Sequence, residues 1–497
     1  MNQSERYILA LDQGTTSSRA IIFDNKGRRV NSAQQEFKQI FPKQGWVEQD
    51  PFDILNSQLD VARKSVQAVG VDSIAAIGIT NQRETTILWD KTTGKPVHNA
   101  IVWQDRRTAE YCDQLKKDGY ENLLQQKTGL LSDAYFSATK IKWMIDNIPE
   151  AKALMEQKKL AFGTVDSWLV WNLSGGKDHI IDITNASRTL LLDIKTGQWD
   201  LELVDLFQLD SSILPEIKPC SGEISKSAKH IFGKEIPITG IAGDQQAATF
   251  GQMCVERGMT KNTYGTGCFI LMNTGDQLIH SKHRLISTIA WQLDGSITYA
   301  LEGSIFMGGA TVQWIRDGLK LIKQSGDIEA LANSVEDNGG VYLVPAFTGL
   351  GAPHWDAYAR GTIIGLTRGT TDGHIARATL EAIAFQSKDV IDAMQSDSGI
   401  DISELRVDGG AAVNSSLMQF QSDLLSCKVL RPSIHETTAL GASYLAGLGV
   451  GYWDSVNELK ELWQCEAEFS PKHSDANKAS FQNWQRALEL SKGWAQS

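Results

Sequence analysis

The stretch Asp12-Gln13-Gly14-Thr15-Thr16-Ser17-Ser18-Arg19 places a carboxylate, a glycine, four hydroxyl residues and a guanidinium within eight positions. Apolar runs at 7–11 and 20–23 flank it. Such runs read as two short buried strands joined in a hairpin. The turn has the chemistry of a phosphate cradle. Gly14 lets backbone approach a ligand, and amides and hydroxyls donate to phosphate oxygens. Arg19 adds a planar cation. Asp12 at the strand end could hold Mg²⁺ through water, because that ion sheds its shell reluctantly. The plain alternatives are a polar hairpin tip and a turn-initiating aspartate.

Four further segments repeat the theme of an apolar run giving way to Gly, Asp or Thr. They are 80–86 (Thr-Asn-Gln-Arg-Glu-Thr-Thr), 240–248, 262–269 and 407–414. Strand ends of open α/β sheets are where ligands bind. In the first, Arg83 and Glu84 are adjacent. On a continuing strand one of them would be driven into the core, and burying an unpaired charge is expensive. A turn lets both face a polar cleft, where Arg donates to hydroxyls and Glu accepts from them. That suits an uncharged polyol; the alternative is a weak surface ion pair. In the second, Asp244 could accept a proton from an alcohol as a phosphoryl bond forms. It could equally cap the Gln-Gln-Ala-Ala helix that follows. In the fourth, Asp408-Gly409-Gly410 offers a turn with no side chain to obstruct a flat base.

In this order and spacing the five segments resemble the FGGY carbohydrate kinases of the actin/sugar-kinase ATPase superfamily. Residues 45–51, 100–107, 345–353 and 437–442 are similar to further blocks of that family. The match is closest to members that phosphorylate glycerol. The resemblance implies an α/β fold of two actin-like (ribonuclease H-like) domains facing across an interdomain cleft, 1–252 and 253–497. It implies ATP and Mg²⁺ as cofactors and Asp244 as the catalytic base. Arg83, Glu84, Tyr135, Asp244 and Gln245 match the polar contacts to glycerol, with Trp103 and Phe269 flanking its carbons. Thr15, Thr16, Ser17 and Arg19 match the first phosphate loop, and Gly265 and Thr266 the second. Gly309, Gln313, Gly410 and Asn414 match the positions that hold the nucleoside. Asp12, through water, and Asp244 match the metal positions. The family also implies a homodimer or homotetramer.

Residues 226–237 depart from the pattern. Some bacterial members bind fructose 1,6-bisphosphate there through a Gly-rich loop containing Arg. Only Gly233 and Lys234 are similar here, and the Arg is missing, so inhibition by that ligand is expected to be weak or absent. His230 resembles a histidine that a sugar phosphotransferase protein phosphorylates in other members. Two further readings stay open: an FGGY kinase for a pentulose or tetritol, and a non-catalytic actin-type nucleotide binder. The first should differ at Arg83, Glu84, Trp103 and Phe269; the second needs no polyol contacts.

The 497 residues exceed what one core usually supports. A net charge of −11 excludes a general nucleic-acid binder, which needs clustered Lys and Arg. The six cysteines are scattered without metal or disulfide spacing, which leads us to expect reduced thiols in a cytoplasmic protein. No run is long enough to span a bilayer, and the N-terminal apolar run is too short for a signal peptide. Apolar patterning predicts strands at 7–12, 19–23, 74–80 and 86–90 and strands with turns over 262–273 and 286–302. It predicts helices over 52–69, 105–118, 137–147, 150–159, 307–322, 372–397 and 413–426. Residues 168–173 read as a buried segment with Asp166 as its cap, and Thr371-Asp372 as the cap of the long helix.

Overall fold

The computed structural model describes residues 6–472 and 475–495. Two mixed sheets carry the architecture. The first is ordered β5-β6-β4-β1-β2-β3, formed by β1 (Tyr7–Gln13), β2 (Ser17–Phe23), β3 (Arg29–Glu36), β4 (Ile74–Asn81), β5 (Ser221–Lys226) and β6 (Pro237–Gly243). The second is ordered β9-β10-β8-β7-β11-β12-β13. Its strands are β7 (Thr260–Tyr264), β8 (Cys268–Gly275), β9 (Ile286–Leu293), β10 (Ser296–Ile305), β11 (Glu404–Asp408), β12 (Lys428–Pro432) and β13 (Cys465–Phe469). The run β3-β2-β1-β4-β6 and the run β10-β8-β7-β11-β12 have the same plan. Each has an antiparallel hairpin at its centre and two parallel strands beyond it.

Register then places the chemistry. β1, β4 and β6 run parallel, with Asp12 beside Thr80 and Asn81 beside Gly243. Gly14, Arg83-Glu84 and Asp244 therefore leave the sheet at one edge, where an open parallel sheet binds ligands. In the second sheet Tyr264 lies opposite Cys268, so Gly265-Thr266-Gly267 is the hairpin turn. Thr263 lies beside Asp408, which brings the Gly409-Gly410 turn next to that hairpin.

The strands β1, β2, β4 and β6 of the first sheet are buried on both faces, as their largely apolar runs require. Ile8, Ala10, Ile21 and Phe23 pack with Leu440, Tyr444 and Leu445 on one face. Leu9, Leu11, Ile22 and Ile77 pack with Ile54, Val61 and Trp168 on the other. The helix Thr437–Gly449 thus lies against the first sheet, although it follows the second in sequence. Glycine makes this possible: a Cβ on Gly441 would stand 1.8 Å from the carbonyl oxygen of Ala247, in the helix Asp244–Gly251. The packing fastens the two halves together beside the catalytic candidate.

Element boundaries shift where turns compete. The helix expected over 105–118 is Ala109–Lys117, because Asp105 accepts from the amides of Val47 (2.6 Å) and Arg107 (2.8 Å) and holds the preceding residues in a turn. The helix expected over 150–159 ends at Glu156, and Leu160–Gly163 is a strand. Those expected over 307–322 and 413–426 are Gly309–Asp317 and Ser415–Leu425. Asp166 is not a cap. It lies inside the helix Val165–Leu173, where its carboxylate accepts from the Asp182 amide at 3.1 Å. The long helix Asp372–Ser398 does begin at a capping box made by Thr371 and His374.

Candidate active site

Arg83 and Glu84 follow β4 and are 3% and 1% exposed, so the surface ion pair is excluded. Glu84 takes a left-handed backbone, φ 60°, which costs roughly 1–3 kcal/mol outside glycine. The two side chains do not chiefly bind each other: Arg83 Nε lies 3.9 Å from Glu84 Oε1. Each has a partner from farther along the chain. Arg83 makes a bidentate fork onto Glu302 of β10, Nη1 to Oε2 at 2.6 Å and Nη2 to Oε1 at 2.8 Å. Arg188 donates through Nε to Glu84 Oε1 at 2.5 Å, and through Nη1 and Nη2 to Glu302 at 3.3 and 3.1 Å. The remaining contacts of Arg83 are longer. Nε lies 3.2 Å from Asp244 Oδ1, Nη1 3.2 Å from Gln246 Oε1 and Nη2 3.5 Å from the Tyr135 hydroxyl.

Burial penalises every charge here, and the partners decide the outcome. At Glu302 the penalty is outweighed by Arg188 and Arg83, and its pKa falls to about 2. At Glu84 burial wins over Arg188 and Arg83, and its pKa is raised. Asp244 is raised by burial in the same way, against the pull of Arg83 and Lys261. It still faces the cleft with 31% of its side chain exposed. It is the first residue of the helix Asp244–Gly251, with Gly243 at the capping position, so the capping role expected as an alternative falls to the glycine. A carboxylate in a first helical turn is favoured by the helix dipole.

Gln245 is buried, and its Oε1 accepts from Lys261 Nζ at 2.5 Å. Burial lowers the Lys261 pKa to about 8. Trp103, Tyr135 and Phe269 stand edge-on to one another, with Trp103 5.6 Å from Tyr135 and 6.4 Å from Phe269 between ring centres. They form an apolar wall beside the charges. The Trp103 indole donates to Thr15 Oγ1 at 3.0 Å, which joins this wall to the first hairpin turn.

The nucleotide-side candidates sit in a more open setting. The Gly14 amide donates to the Ser17 carbonyl at 3.0 Å and closes the turn, leaving Thr16 exposed. Ser17 Oγ accepts from Gln34 at 3.1 Å. Arg19 pairs with Glu436 at 2.7 Å. Thr266 is exposed at the tip of the second turn. Its carbonyl accepts from Gly308 (2.8 Å) and Ala310 (3.0 Å), and that of Gly265 from Gly309 (2.8 Å), so the helix Gly309–Asp317 starts on the loop. Gln313 is exposed on that helix. Gly409 has φ 88°, and a Cβ there would meet the Tyr264 carbonyl at 2.6 Å, whereas Gly410 faces open space. Asn414 caps the helix Ser415–Leu425 by accepting from Leu417 N at 2.8 Å. Asp12 is buried; burial, Asp244 and Glu436 outweigh Arg19, and its pKa rises to about 6.

The structure therefore brings together Arg83, Glu84, Tyr135, Asp244, Gln245, Trp103 and Phe269, with Asp12 within electrostatic reach of Asp244. His230 is exposed in the short helix Lys229–Phe232 and enters none of these contacts. Sequence reading missed Arg188, Glu302, Lys261 and Gln246. A signal existed for Glu302: it is the one charge in the run Ala300-Leu301-Glu302-Gly303-Ser304-Ile305, and a charge inside a buried strand demands a partner.

Residues 7–251 match the N-terminal domain, and residues 260–450 the C-terminal domain, of the FGGY family of carbohydrate kinases. The chain belongs to that family. Its relatives include the glycerol kinase of Deinococcus radiodurans, 57% identical with 98% of each chain covered. The glycerol kinase of Chromobacterium violaceum is 58% identical with 99% of each covered. Among solved structures, Plasmodium falciparum glycerol kinase with ADP superposes with a TM-score of 0.92 at 39% identity, covering 98% of each chain.

Proposed function

We propose that this chain phosphorylates glycerol to sn-glycerol 3-phosphate at the expense of ATP, with Asp244 as general base. The observation that carries the reading is a partly exposed carboxylate, Asp244, standing 3.2 Å from the guanidinium of a buried, charge-dense and otherwise enclosed cluster. The cluster offers donors (Arg83, Tyr135, Gln245) and acceptors (Glu84, Asp244) to hydroxyls, and Trp103 and Phe269 to carbon. It presents no surplus cation for a sugar acid. The relatives act on glycerol by name, over almost the whole chain.

Phosphoryl transfer asks mainly for alignment and charge neutralisation. Arg83, Glu84 and Gln245 fix two hydroxyls and leave a terminal one beside Asp244. That carboxylate takes the alcohol proton as the oxygen reaches the γ-phosphorus in line. Thr15, Thr16, Ser17 and Arg19 meet the phosphates from one sheet, Gly265 and Thr266 from the other. The nucleoside lies along Gly309, Gln313, Gly410 and Asn414. Packing of the two halves around the reacting atoms excludes water, which would otherwise compete as acceptor.

Mg²⁺ fits the donor set. Asp12 is buried near the carboxylates of Asp244 and Glu436 with Arg19 as its nearby cation, and burial with those charges holds its carboxyl at about 6. Among the described residues no group of three or more His, Cys, Asp or Glu could hold a metal, so phosphates and water would complete the shell of an ion held through Asp12 and Asp244. When bound, the ion neutralises phosphate charge. We further infer a cytoplasmic homodimer or homotetramer, with the exposed His230 available to a phosphotransferase protein.

The test is the initial rate of ADP release across glycerol, erythritol, xylulose and ribulose. Glycerol should exceed every other acceptor in kcat/KM by at least ~10²-fold, the scale on which a hydrogen-bonding site rejects a wrong partner. A ketose at or above glycerol would replace this reading with the pentulose kinase.

A further inference from the structure

Neither the sequence motifs nor the family comparison assigns anything to Glu302. We propose that Glu302 is a positioning residue for polyol recognition, reaching from the second sheet to aim the Arg83 guanidinium of the first half. The inference rests on the reading of the cluster as the glycerol site.

Glu302 lies inside β10, paired with Leu271 of β8 and Ile286 of β9, and is fully buried. A lone carboxylate there would not be tolerated. It is held by four contacts from two guanidiniums, all between 2.6 and 3.3 Å. The fork onto Arg83 fixes the plane of that side chain, a geometry only a bidentate carboxylate supplies. One edge of Arg83 is thereby anchored by 2.6 and 2.8 Å bonds. Its remaining contacts are looser, 3.2 Å from Nη1 to Gln246, and on the Nε side 3.2 Å to Asp244 and 3.5 Å to Tyr135. Those are the contacts a substrate hydroxyl can enter. Without Glu302 the nearest carboxylates to Arg83 are Asp244 and Glu84. The guanidinium would close onto Asp244 and fill the hydroxyl's place. Because Glu302 belongs to the other sheet, the polyol site is complete only when the two halves are packed together.

The experiment measures glycerol KM, kcat and ADP affinity by calorimetry for wild type, Glu302→Gln, Arg83→Ala and the double variant. Glu302→Asp serves as a second carboxylate probe should the amide variant not fold. We expect Glu302→Gln to raise the glycerol KM by ~30-fold or more, the lower end for breaking a buried charge pair, with ADP affinity within ~3-fold. In the Arg83→Ala background the same change should add less than ~3-fold, because it acts through Arg83. Glu302→Asp, shorter by one methylene, should fall between wild type and Glu302→Gln. Additive losses, or ADP affinity falling in step with glycerol, would reduce Glu302 to a structural residue and overturn the proposal. Wild-type KM in either Glu302 variant would do the same. Arg83→Ala with unchanged KM would overturn the glycerol-site reading itself, and this inference with it. Raised KM in Arg83→Ala beside normal KM in Glu302→Gln would overturn this inference alone.

Discussion

Glu302 and Asp12 are both buried carboxylates at the cleft, yet their acidities move in opposite directions. Burial acts against ionisation at each. Glu302 falls to about 2 because Arg188 and Arg83 are locked onto it. Asp12 rises to about 6 because burial, with the charges of Asp244 and Glu436, outweighs Arg19, which is itself paired with Glu436. The difference follows from what each ligand brings. Glycerol carries no charge, so the polyol end must hold its own oriented donors and acceptors, and these must neutralise one another before substrate arrives. A nucleotide arrives with its own charge and counterion. On the proposed reading the nucleotide end therefore combines the exposed hydroxyls of Thr16 and Thr266, hairpin amides and Asp12, whose buried charge Arg19 does not offset.

The comparison can be broken at four points. The largest effect should come from Asp244→Asn: kcat falls by at least ~10²-fold while calorimetric affinities for ADP and glycerol stay within ~3-fold. Near wild-type turnover would remove Asp244 from the mechanism. Next, Arg83→Ala should raise the glycerol KM by ~30-fold or more with ADP affinity little changed, since a buried, paired charge is lost only at the polyol end. Equal weakening of both ligands would dissolve the distinction between the ends. Thr266→Ala should cost less than ~10-fold in ADP affinity, because one exposed hydroxyl among many donors contributes little. A loss as large as that of Arg83→Ala for glycerol would show that the nucleotide end is also built on single dominant side chains.

The smallest effect is on stability. A carboxyl with a raised native pKa contributes stability that is fully present below its unfolded value of 3.8 and is lost as pH rises through about 6. Asp12→Asn abolishes that loss. Without nucleotide or Mg²⁺, the variant should gain about 1–4 °C in Tm over wild type at pH 7.5 and show no gain near pH 4, by scanning calorimetry. A variant less stable than wild type at pH 7.5 would mean that Asp12 is already balanced within the protein.

What the sequence made legible follows the same division. The hairpins at 14–17 and 265–267 announce themselves because glycine and hydroxyls interrupt apolar strands, and the local pattern contains the whole structure. Arg83 and Glu84 stand out for the same reason, as charges at a strand end. Their partners do not. Arg188 and Glu302 lie more than 100 and 200 residues further on, and only tertiary packing brings them onto Arg83 and Glu84. The crossing of Thr437–Gly449 back to the first sheet was equally hidden, because a small, apolar helix fits either sheet until Gly441 is seen against Ala247. Asp166 failed as a cap because Asp182, from another segment, supplies the amide it accepts from.

The central claim is that the cleft delivers the γ-phosphoryl group to glycerol and not to water. Phosphorus NMR of wild-type protein with ATP, Mg²⁺ and glycerol tests it directly. We expect one sn-glycerol 3-phosphate for each ADP formed, and ADP formation falling by roughly 10²-fold or more when glycerol is left out, as a water-excluding site requires. Inorganic phosphate accumulating in step with ADP while glycerol is present would contradict it.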